Sequence, residues 1–323
     1  MKGRRVLVTG MGGELGSLVA SLAERTEWAG DILGFDVDPP RRHLSRSEFV
    51  RVDASEHDRI ADLVQKFNPH VLLHVGVWEP HARLATSHAE ECTQLVAKAV
   101  FDAAHQADAL ETVVVRSGIE IYGAGSYSPE IAVESTPVAP TTTYGRMCLN
   151  IEEQATELRT ARGINVCTLR LAPVLGAHVP SPLGRLLRLP AIPYYGLGNP
   201  IFSVVEDHDA ADAFILAAQR DADGTVNIVA NGAISMLRAT AIGRRLPLPS
   251  FGPGWWLAQN ASTLAGAPMP DHVAELIQHG RLAASNEAAH LLRFAPRHST
   301  NEVVHRLYEW PSVERIPARQ QVA

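Results

Sequence analysis

The chain has 323 residues, which is enough for one large domain or about two domains with a sizeable hydrophobic core. Hydrophobic residues make up 46% of it, and 35 acidic against 29 basic residues give a formal net charge of −6. These values exclude an intrinsically disordered chain, and they argue against a general nucleic-acid binder, which carries a basic surplus. Three cysteines cannot build a disulfide framework, so a reduced cytosolic setting is the simplest interpretation.

The N-terminal residues do not have the pattern of a targeting signal. The apolar run from Val6 to Val8 is too short, and Thr9 and Gly10 interrupt it. No stretch reaches the roughly 20 apolar residues that a membrane helix requires. We therefore expect a soluble, cytoplasmic protein that has neither a membrane nor a nucleic acid as its partner.

Strands and helices alternate regularly through the first half of the chain. Short aliphatic runs predict strands, and apolar residues at helical spacing predict the helices between them. Strands are expected at 4–9, 31–36, 49–52, 71–75, 112–115 and 165–171, and helices at 14–25, 55–67, 89–106 and 142–162. Uninterrupted apolar strands between amphipathic helices predict an α/β fold, a doubly wound parallel sheet of the Rossmann type.

The pattern changes after residue 172, where prolines become frequent and predict longer loops and shorter elements. A helix at 209–220 and a strand at 225–229 then resume the alternation. We expect 1–172 to form a nucleotide-binding domain to which 203–230 returns. Residues 173–202 and 231–323 would form a smaller substrate-binding lobe over the carboxyl edge of the sheet, where open α/β folds bind ligands.

A glycine loop follows the first strand and opens the first helix, with Gly10, Gly13 and Gly16 at three-residue intervals. Glycine permits a tight turn there and lets a pyrophosphate approach the backbone. The start of the helix offers unpaired N–H groups and the positive end of its dipole. The loop therefore predicts a dinucleotide site that also includes Gly12, Glu14 and Leu15; a glycine turn without a ligand is the alternative.

Asp36 stands at the end of the second strand, 36 − 16 = 20 residues after Gly16. A carboxylate at this point accepts hydrogen bonds from the ribose hydroxyls and repels a 2′-phosphate, which favours NAD over NADP. Arg41 and Arg42 follow closely and are within reach of a phosphate, which works against that preference.

Further cofactor contacts are expected at the ends of the third and fourth strands. Asp53 and Ala54 either contact the adenine or form the turn before the next helix. Val75 and Gly76 follow the fourth strand, and the glycine would let the backbone approach the dinucleotide. Two residues further on, Trp78 and Glu79 are expected to border the substrate pocket, although Trp78 fits plain packing equally well.

These motifs together resemble the short-chain dehydrogenase/reductase superfamily. The residues that show this resemblance are Thr9-Gly-x-x-Gly-x-x-Gly16, Asp36, Asp53 and Tyr144. The later segments Ile121–Gly123, Val204–Asp207 and Val226–Ile228, with Arg170, are similar to the extended branch, the NAD-dependent epimerase/dehydratases typified by UDP-glucose 4-epimerase. The resemblance covers most of the chain. It implies an NAD-dependent enzyme that acts on a sugar-like or other hydroxyl/carbonyl substrate.

The same resemblance implies a homodimer that pairs through the helices at 89–106 and 142–162. Both helices carry apolar stripes, which are Leu95, Val96, Ala99 and Val100 on the first and Cys148, Leu149, Ile151 and Ala155 on the second. Alternatively, the stripes pack only against the chain's own sheet.

The catalytic signature of this family departs from its usual form. The family uses a tyrosine, a lysine one helical turn later that lowers the pKa of the phenol, and a serine or threonine that steadies the substrate oxygen. Tyr144 matches, but Cys148 stands at the lysine position and Gly118 at the hydroxyl position. Ser117 would face the site only through a local bulge or turn. Tyr144 is thus the expected proton-transfer group, and the roles of Ser117 and Cys148 stay open.

The substrate half departs as well. Pro173 follows Arg170 where the family commonly has asparagine, and Pro200 stands where nucleotide-sugar enzymes often have arginine. The absence of that arginine removes a strong partner for a sugar diphosphate. Ile119 and Pro173 are candidate substrate contacts. Four other arginines either replace the missing one or are solvated surface charges, namely Arg185, Arg188, Arg244 and Arg245.

Fourteen histidines raise the question of a metal site, but none has zinc-ligand spacing. His70 and His74 do not form a helical ligand pair, and His81 and His88 fall in a loop region. We expect no metal. Three hypotheses remain: an NAD-dependent enzyme with Tyr144 as proton-transfer group, a non-catalytic NAD-binding sensor or partner-binding subunit, and a scaffold that has lost the cofactor.

Overall fold

The centre of the fold is a seven-stranded parallel sheet. A computed structural model of the chain describes residues 3–79, 85–124 and 130–309. The sheet region comprises β1 (Arg4–Thr9), α1 (Glu14–Ala23), β2 (Ala29–Asp36), β3 (Ser47–Arg51), α2 (His57–Phe67), β4 (Val71–His74), α3 (Thr86–Ala104), β5 (Thr112–Gly118), a 3-10 turn at Ile119–Tyr122, α4 (Thr143–Arg162) and β6 (Asn165–Leu171).

The remaining elements alternate between the lobe and the sheet. They are β7 (Val174–Leu175), α5 (Pro182–Leu187), β8 (Ala191–Tyr195), β9 (Ile201–Phe202), β10 (Val205–Glu206), α6 (Asp207–Gln219), β11 (Gly224–Ile228), β12 (Ile234–Ser235), α7 (Met236–Ile242), β13 (Leu246–Ser250), α8 (Pro253–Leu264), α9 (Asp271–His279), a π-helical turn at Ala288–Leu292 and α10 (Thr300–Tyr308).

The strand order is β11-β6-β5-β4-β1-β2-β3, with every neighbouring pair parallel. One hydrophobic cluster includes α1 and α6 on one face of the sheet, and a second includes α2, α3 and α4 on the other. The expected doubly wound α/β fold is therefore confirmed. The strand order reverses between β1 and β4, and open sheets of this kind bind ligands in the crevice at such a switch point.

A third hydrophobic cluster contains side chains from α5, α7, α9 and α10, and the part of the chain that these helices form is called the lobe below. Helix α9 packs against α4, so a residue of the lobe can reach the start of α4. Between the lobe segments, α6 returns to pack against α1 and β11 pairs with β6.

The apolar stripes of α3 and α4 are mostly buried within the protomer. Val96, Val100, Cys148 and Ile151 belong to the cluster that packs on the sheet. The groove between the outer faces of the two helices is polar and is lined by Gln94, Lys98, Asp102, His105, Asn150, Gln154 and Glu157, with Phe101 at its floor. The chain's own packing thus accounts for the stripes, and pairing of two copies through these helices stays a prediction. Among the helices within the described ranges, none has the length and apolar character needed to cross a membrane.

Candidate active site between the sheet and the lobe

The glycine loop and the turn after β4 meet at the switch point of the sheet. Gly10 has a φ of 71°, a conformation that favours glycine, and a Cβ there would lie 2.5 Å from the Cα of Gly76. A side chain at Gly12 would overlap the carbonyl oxygen of Asp38. Helix α1 begins beyond Gly13, which provides no side-chain cap, so its first N–H groups are free to bind an anion.

A groove of about 200 Å³ runs along this loop. It brings together most of the cofactor residues expected from the sequence, namely Gly10, Gly12, Gly13, Glu14, Leu15, Gly16, Asp36, Val75 and Gly76. Trp78, Glu79 and Arg116 line its inner end. The structure therefore assembles one continuous cleft from residues that lie far apart in the sequence.

Asp36 holds the edge of the groove. Its Oδ2 accepts the N–H of Gly12 at 3.0 Å and its Oδ1 accepts the N–H of Val37 at 2.6 Å. Burial raises the pKa of Asp36, and these backbone N–H groups act in the opposite direction. Nearby, Arg42 forms an ion pair with Glu14 at 2.9 Å, whereas Arg41 lines the groove.

Asp53 and Ala54 do not line the groove. The Asp53 carboxylate accepts the N–H and the hydroxyl of Ser55, at 3.0 and 2.7 Å, and so closes the turn before α2. This arrangement corresponds to the turn alternative. Ile119 is fully buried in the core beside β5, and Pro173 lines an inner cavity next to the groove.

Tyr144 is in the first turn of α4 and faces that inner cavity, which has a volume of about 20 Å³. Arg116 reaches it from β5 and donates from Nη2 to the Tyr144 hydroxyl at 3.2 Å. Burial raises the pKa of the Tyr144 phenol well above its usual value, and the Arg116 guanidinium opposes that rise. Arg116 lines both the groove and the cavity, so it connects the two spaces.

Cys148 and Ser117 do not supply the groups that the family signature requires. Cys148 is fully buried, and burial raises the pKa of its thiol, so the sulfur stays neutral. The Ser117 hydroxyl donates to Glu152 at 2.6 Å, two helical turns beyond Tyr144. Glu152 in turn pairs with Arg170 at 2.7 Å. The structure therefore places Ser117 in a buried ion-pair network, where its hydroxyl is bonded to Glu152.

A carboxylate occupies the space of the missing hydroxyl. A side chain at Gly118 would overlap the Glu120 carboxylate and would lie 3.4 Å from the Tyr144 ring. Glu120 is buried in the 3-10 turn, and burial raises the pKa of its carboxyl. Arg281 opposes this rise, with Nη1 at 3.9 Å from the carboxylate. Glycine at 118 thus makes room for Glu120 beside the tyrosine.

His272 of α9 lines the cavity from the side of the lobe. Its imidazole stacks on the Tyr144 ring, with centroids 4.7 Å apart and planes at 30°. Nε2 lies 3.3 Å from Glu79, and Nδ1 lies 3.7 Å from Asp271, where the attraction is electrostatic. Burial disfavours the charged ring, but the two carboxylates outweigh it and raise the pKa of His272 to about 9.

A model of the family described as "NAD dependent epimerase/dehydratase family" matches residues 6–231 of the chain. The chain belongs to this family. The resemblance found in the sequence is thereby confirmed. Uncharacterized proteins of Mycobacterium bovis and Mycobacterium tuberculosis are each 26% identical to the chain over 312 residues, which is 92% of this chain and 81% of theirs.

Solved structures of epimerase/dehydratase-like proteins share the fold. A structure of MoeE5 in complex with UDP-glucuronic acid and NAD has a TM-score of 0.74 at 21% identity, covering 95% of this chain and 98% of that one. UDP-glucose 4-epimerase from Brucella ovis in complex with NAD has a TM-score of 0.72 at 20% identity, covering 94% and 97%. UDP-glucuronic acid 4-epimerase from Bacillus cereus has a TM-score of 0.70 at 17% identity, covering 95% and 98%.

Three residues of this family member's site were not found by sequence reasoning, namely Arg116, Glu120 and His272. Arg116 and Glu120 flank the positions of Ser117 and Gly118, so the loss of the usual hydroxyl was a signal to look for charged replacements there. His272 had no such signal.

Two of the histidines considered as metal ligands bind other groups of the chain. His70 accepts the N–H of Arg5, and His74 forms a hydrogen bond with the Thr9 hydroxyl. His81 lies outside the described residues, within which no cluster of ligands could hold a metal ion.

The Asp36 carboxylate should decide which dinucleotide binds. In Asp36→Asn we expect the affinity for NAD to fall about tenfold, because the charged acceptor for the ribose hydroxyls is lost. The discrimination against NADP should shrink as well, since Arg41 stays in the groove. Calorimetric titration with both dinucleotides measures this. Asp31→Asn, on the same strand but exposed, is the control. Unchanged NAD affinity in Asp36→Asn would contradict the assignment.

Proposed function

We propose that the chain is an NAD-dependent oxidoreductase of the epimerase/dehydratase type, which acts on a sugar-like or other hydroxyl/carbonyl substrate with Tyr144 as the proton-transfer group. The observation that carries this proposal is the contact between Tyr144 and Arg116. The phenol lies in the cavity next to the groove, and a guanidinium lies 3.2 Å from its oxygen, although the usual lysine is replaced by Cys148.

The groove fits NAD. Its glycines let the loop pack closely against the neighbouring backbone, and the start of α1 offers free N–H groups to the pyrophosphate. The Asp36 carboxylate would accept hydrogen bonds from the adenosine ribose. Val75 and Gly76 border the path toward Glu79 and Arg116 at the inner end. Bound NAD would supply hydride transfer, and the chain would supply binding, orientation and proton transfer.

The side chains of the cavity would supply proton transfer and substrate binding. Tyr144 takes the proton of a substrate hydroxyl during oxidation and returns it during reduction. Arg116 stabilises the phenolate that this exchange requires, as a nearby cation lowers the pKa of a phenol. Glu79 and Glu120 line the same cavity and can accept hydrogen bonds from further hydroxyls.

The cavity favours a substrate without a diphosphate. Its two carboxylates offset the positive charges of Arg116 and His272, which leaves no surplus positive charge to bind a phosphate group. Of the arginines considered for a phosphate site, Arg188 donates to the carbonyls of Gly176 and Ala177, and Arg245 lies over the Tyr308 ring. The solved relatives named above contain UDP-sugars or act on them, as their descriptions state. We propose that this chain takes a smaller polyhydroxylated or hydroxyl/carbonyl molecule instead.

The test uses the purified protein with NAD and a panel of free sugars, polyols and small alcohols. We expect NADH to form with at least one class, as measured by absorbance. Tyr144→Phe should lower that rate by a factor of about 10² to 10⁴, the range of positioned acid–base groups. Binding of NAD with neither NADH formation nor conversion of any substrate in the panel, or full activity in Tyr144→Phe, would overturn the proposal.

A non-catalytic NAD-binding sensor is the second candidate, and Cys148 is the observation that favours it. A buried neutral thiol cannot act as the lysine does. The panel separates the two candidates, because a sensor binds NAD and turns over nothing. Calorimetric titration with NAD separates both from a scaffold that has lost the cofactor.

A further inference from the structure

Tyr144 is held between the sheet and the lobe. Arg116 contacts its hydroxyl from β5, and His272 covers its ring from α9. Helix α9 is fixed at its start, where Asp271 accepts the N–H of Thr143 at 2.7 Å, immediately before Tyr144. The histidine is only 4% exposed, so the stacked contact is part of the interior.

Charged groups from several parts of the chain surround His272. Four carboxylates face this region, namely Glu79 after β4, Glu120 in the 3-10 turn, and Asp271 and Glu275 on α9. The cations are Arg116 and Arg281, and Tyr144 and Cys148 contribute neutral groups from α4. Four carboxylates and two guanidinium ions together carry a net negative charge, and a protonated His272 reduces it. This balance explains why burial does not neutralise the imidazole.

We propose that His272 is a positioning residue for Tyr144: its imidazolium, paired with Glu79 and stacked on the phenol ring, adds to Arg116 the positive charge that the phenolate needs. The inference rests on the proposed role of Tyr144 in proton transfer. Under this proposal, Arg116 and His272 together lower the pKa of the Tyr144 phenol, as one lysine does in the usual family signature. Docking of α9 against α4 then sets the acidity of the tyrosine.

The test measures the ionisation of residue 144 without any substrate. A fluorinated tyrosine, whose phenol ionises at lower pH, replaces Tyr144 in the full chain, and its fluorine NMR signal is followed against pH. In His272→Gln we expect the midpoint to rise by about one pH unit, a tenfold change in ionisation. His279→Gln is the control, since His279 is on the same helix but exposed. An unchanged midpoint in folded His272→Gln would overturn the proposal.

A second measurement covers the case in which His272→Gln does not fold. The imidazole signal of His272 in the otherwise unaltered protein should titrate above neutral pH, and Glu79→Gln should lower that midpoint. A neutral His272 at neutral pH would overturn the proposal. Neither measurement uses turnover, so inactivity on the whole substrate panel would count against the proposed function and leave the His272 result standing.

Discussion

Gly16→Ala should abolish detectable NAD binding and lower the free energy of unfolding by about 3 kcal/mol, the range of steric conflict at a fixed backbone. A Cβ at this position would overlap the carbonyl oxygen of Gly10 and lie 2.7 Å from its carbonyl carbon. That carbonyl accepts the N–H of Gly13 at 3.1 Å and so holds the loop. Because the obstacle is backbone, it cannot move aside. Calorimetric titration with NAD and chemical denaturation measure the two losses.

Two glycine substitutions serve as controls for Gly16→Ala. A Cβ at Gly13 would come no closer than 3.4 Å to the Gly10 carbonyl oxygen, so Gly13→Ala should keep its stability but weaken NAD binding by crowding the groove. A Cβ at Gly254 on α8 would meet nothing within 4 Å, so Gly254→Ala should change neither property for the worse. Gly16→Ala that binds NAD as the unaltered protein does would contradict this account of the loop.

Arg170→Met should lower the free energy of unfolding by about 3 to 5 kcal/mol, because it leaves a buried carboxylate without its partner. The guanidinium donates to both oxygens of Glu152, at 2.9 and 2.7 Å, and to the Tyr122 hydroxyl at 2.9 Å. It also lies over the Tyr122 ring, 5.0 Å from the centroid. Denaturant unfolding of Arg170→Met and of Glu152→Gln measures how far each variant lowers the free energy of unfolding.

The matched control removes an ion pair at the surface. Lys98 and Asp102 are paired at 2.9 Å on α3, but both side chains are more than 60% exposed. Lys98→Met should cost less than about 1 kcal/mol. The double variant Arg170→Met with Glu152→Gln should recover part of the loss, since no charge is then left unpaired in the interior. Equal costs at Arg170 and Lys98 would show that the buried network does not stabilise the fold in this way.

The centre of the sheet could be predicted from the sequence because its inner strands are buried on both faces. The run of β1 contains three successive aliphatic residues, which predicts a buried strand, and the observed bounds of β1 and β6 are those expected. The glycine loop and Asp36 were readable because their spacing follows from the turn that a pyrophosphate requires. By contrast, strands of two residues such as β7 and β10 carry no periodicity that could have revealed them.

The residues that surround Tyr144 could not be predicted from the sequence, for a different reason. Spacing rules on a helix connect residues three or four apart. The groups that surround this tyrosine come from Arg116, 144 − 116 = 28 residues earlier, and from His272, 272 − 144 = 128 residues later. Only the folded arrangement of β5, α4 and α9 brings them together. The expected place of Ser117 depended on whether β5 ends in a bulge, and its partner Glu152 is set by tertiary packing.

The space that Gly118 leaves to Glu120 limits which residues the site can accept. A serine at 118 would displace a buried carboxylate, and a lysine at 148 would add a third cation to the interior beside Arg116 and His272. Each of these single substitutions is therefore expected to be unfavourable while the other residues stay unchanged. A tyrosine and a lysine one helical turn apart would thus fit this interior only together with further substitutions around Tyr144.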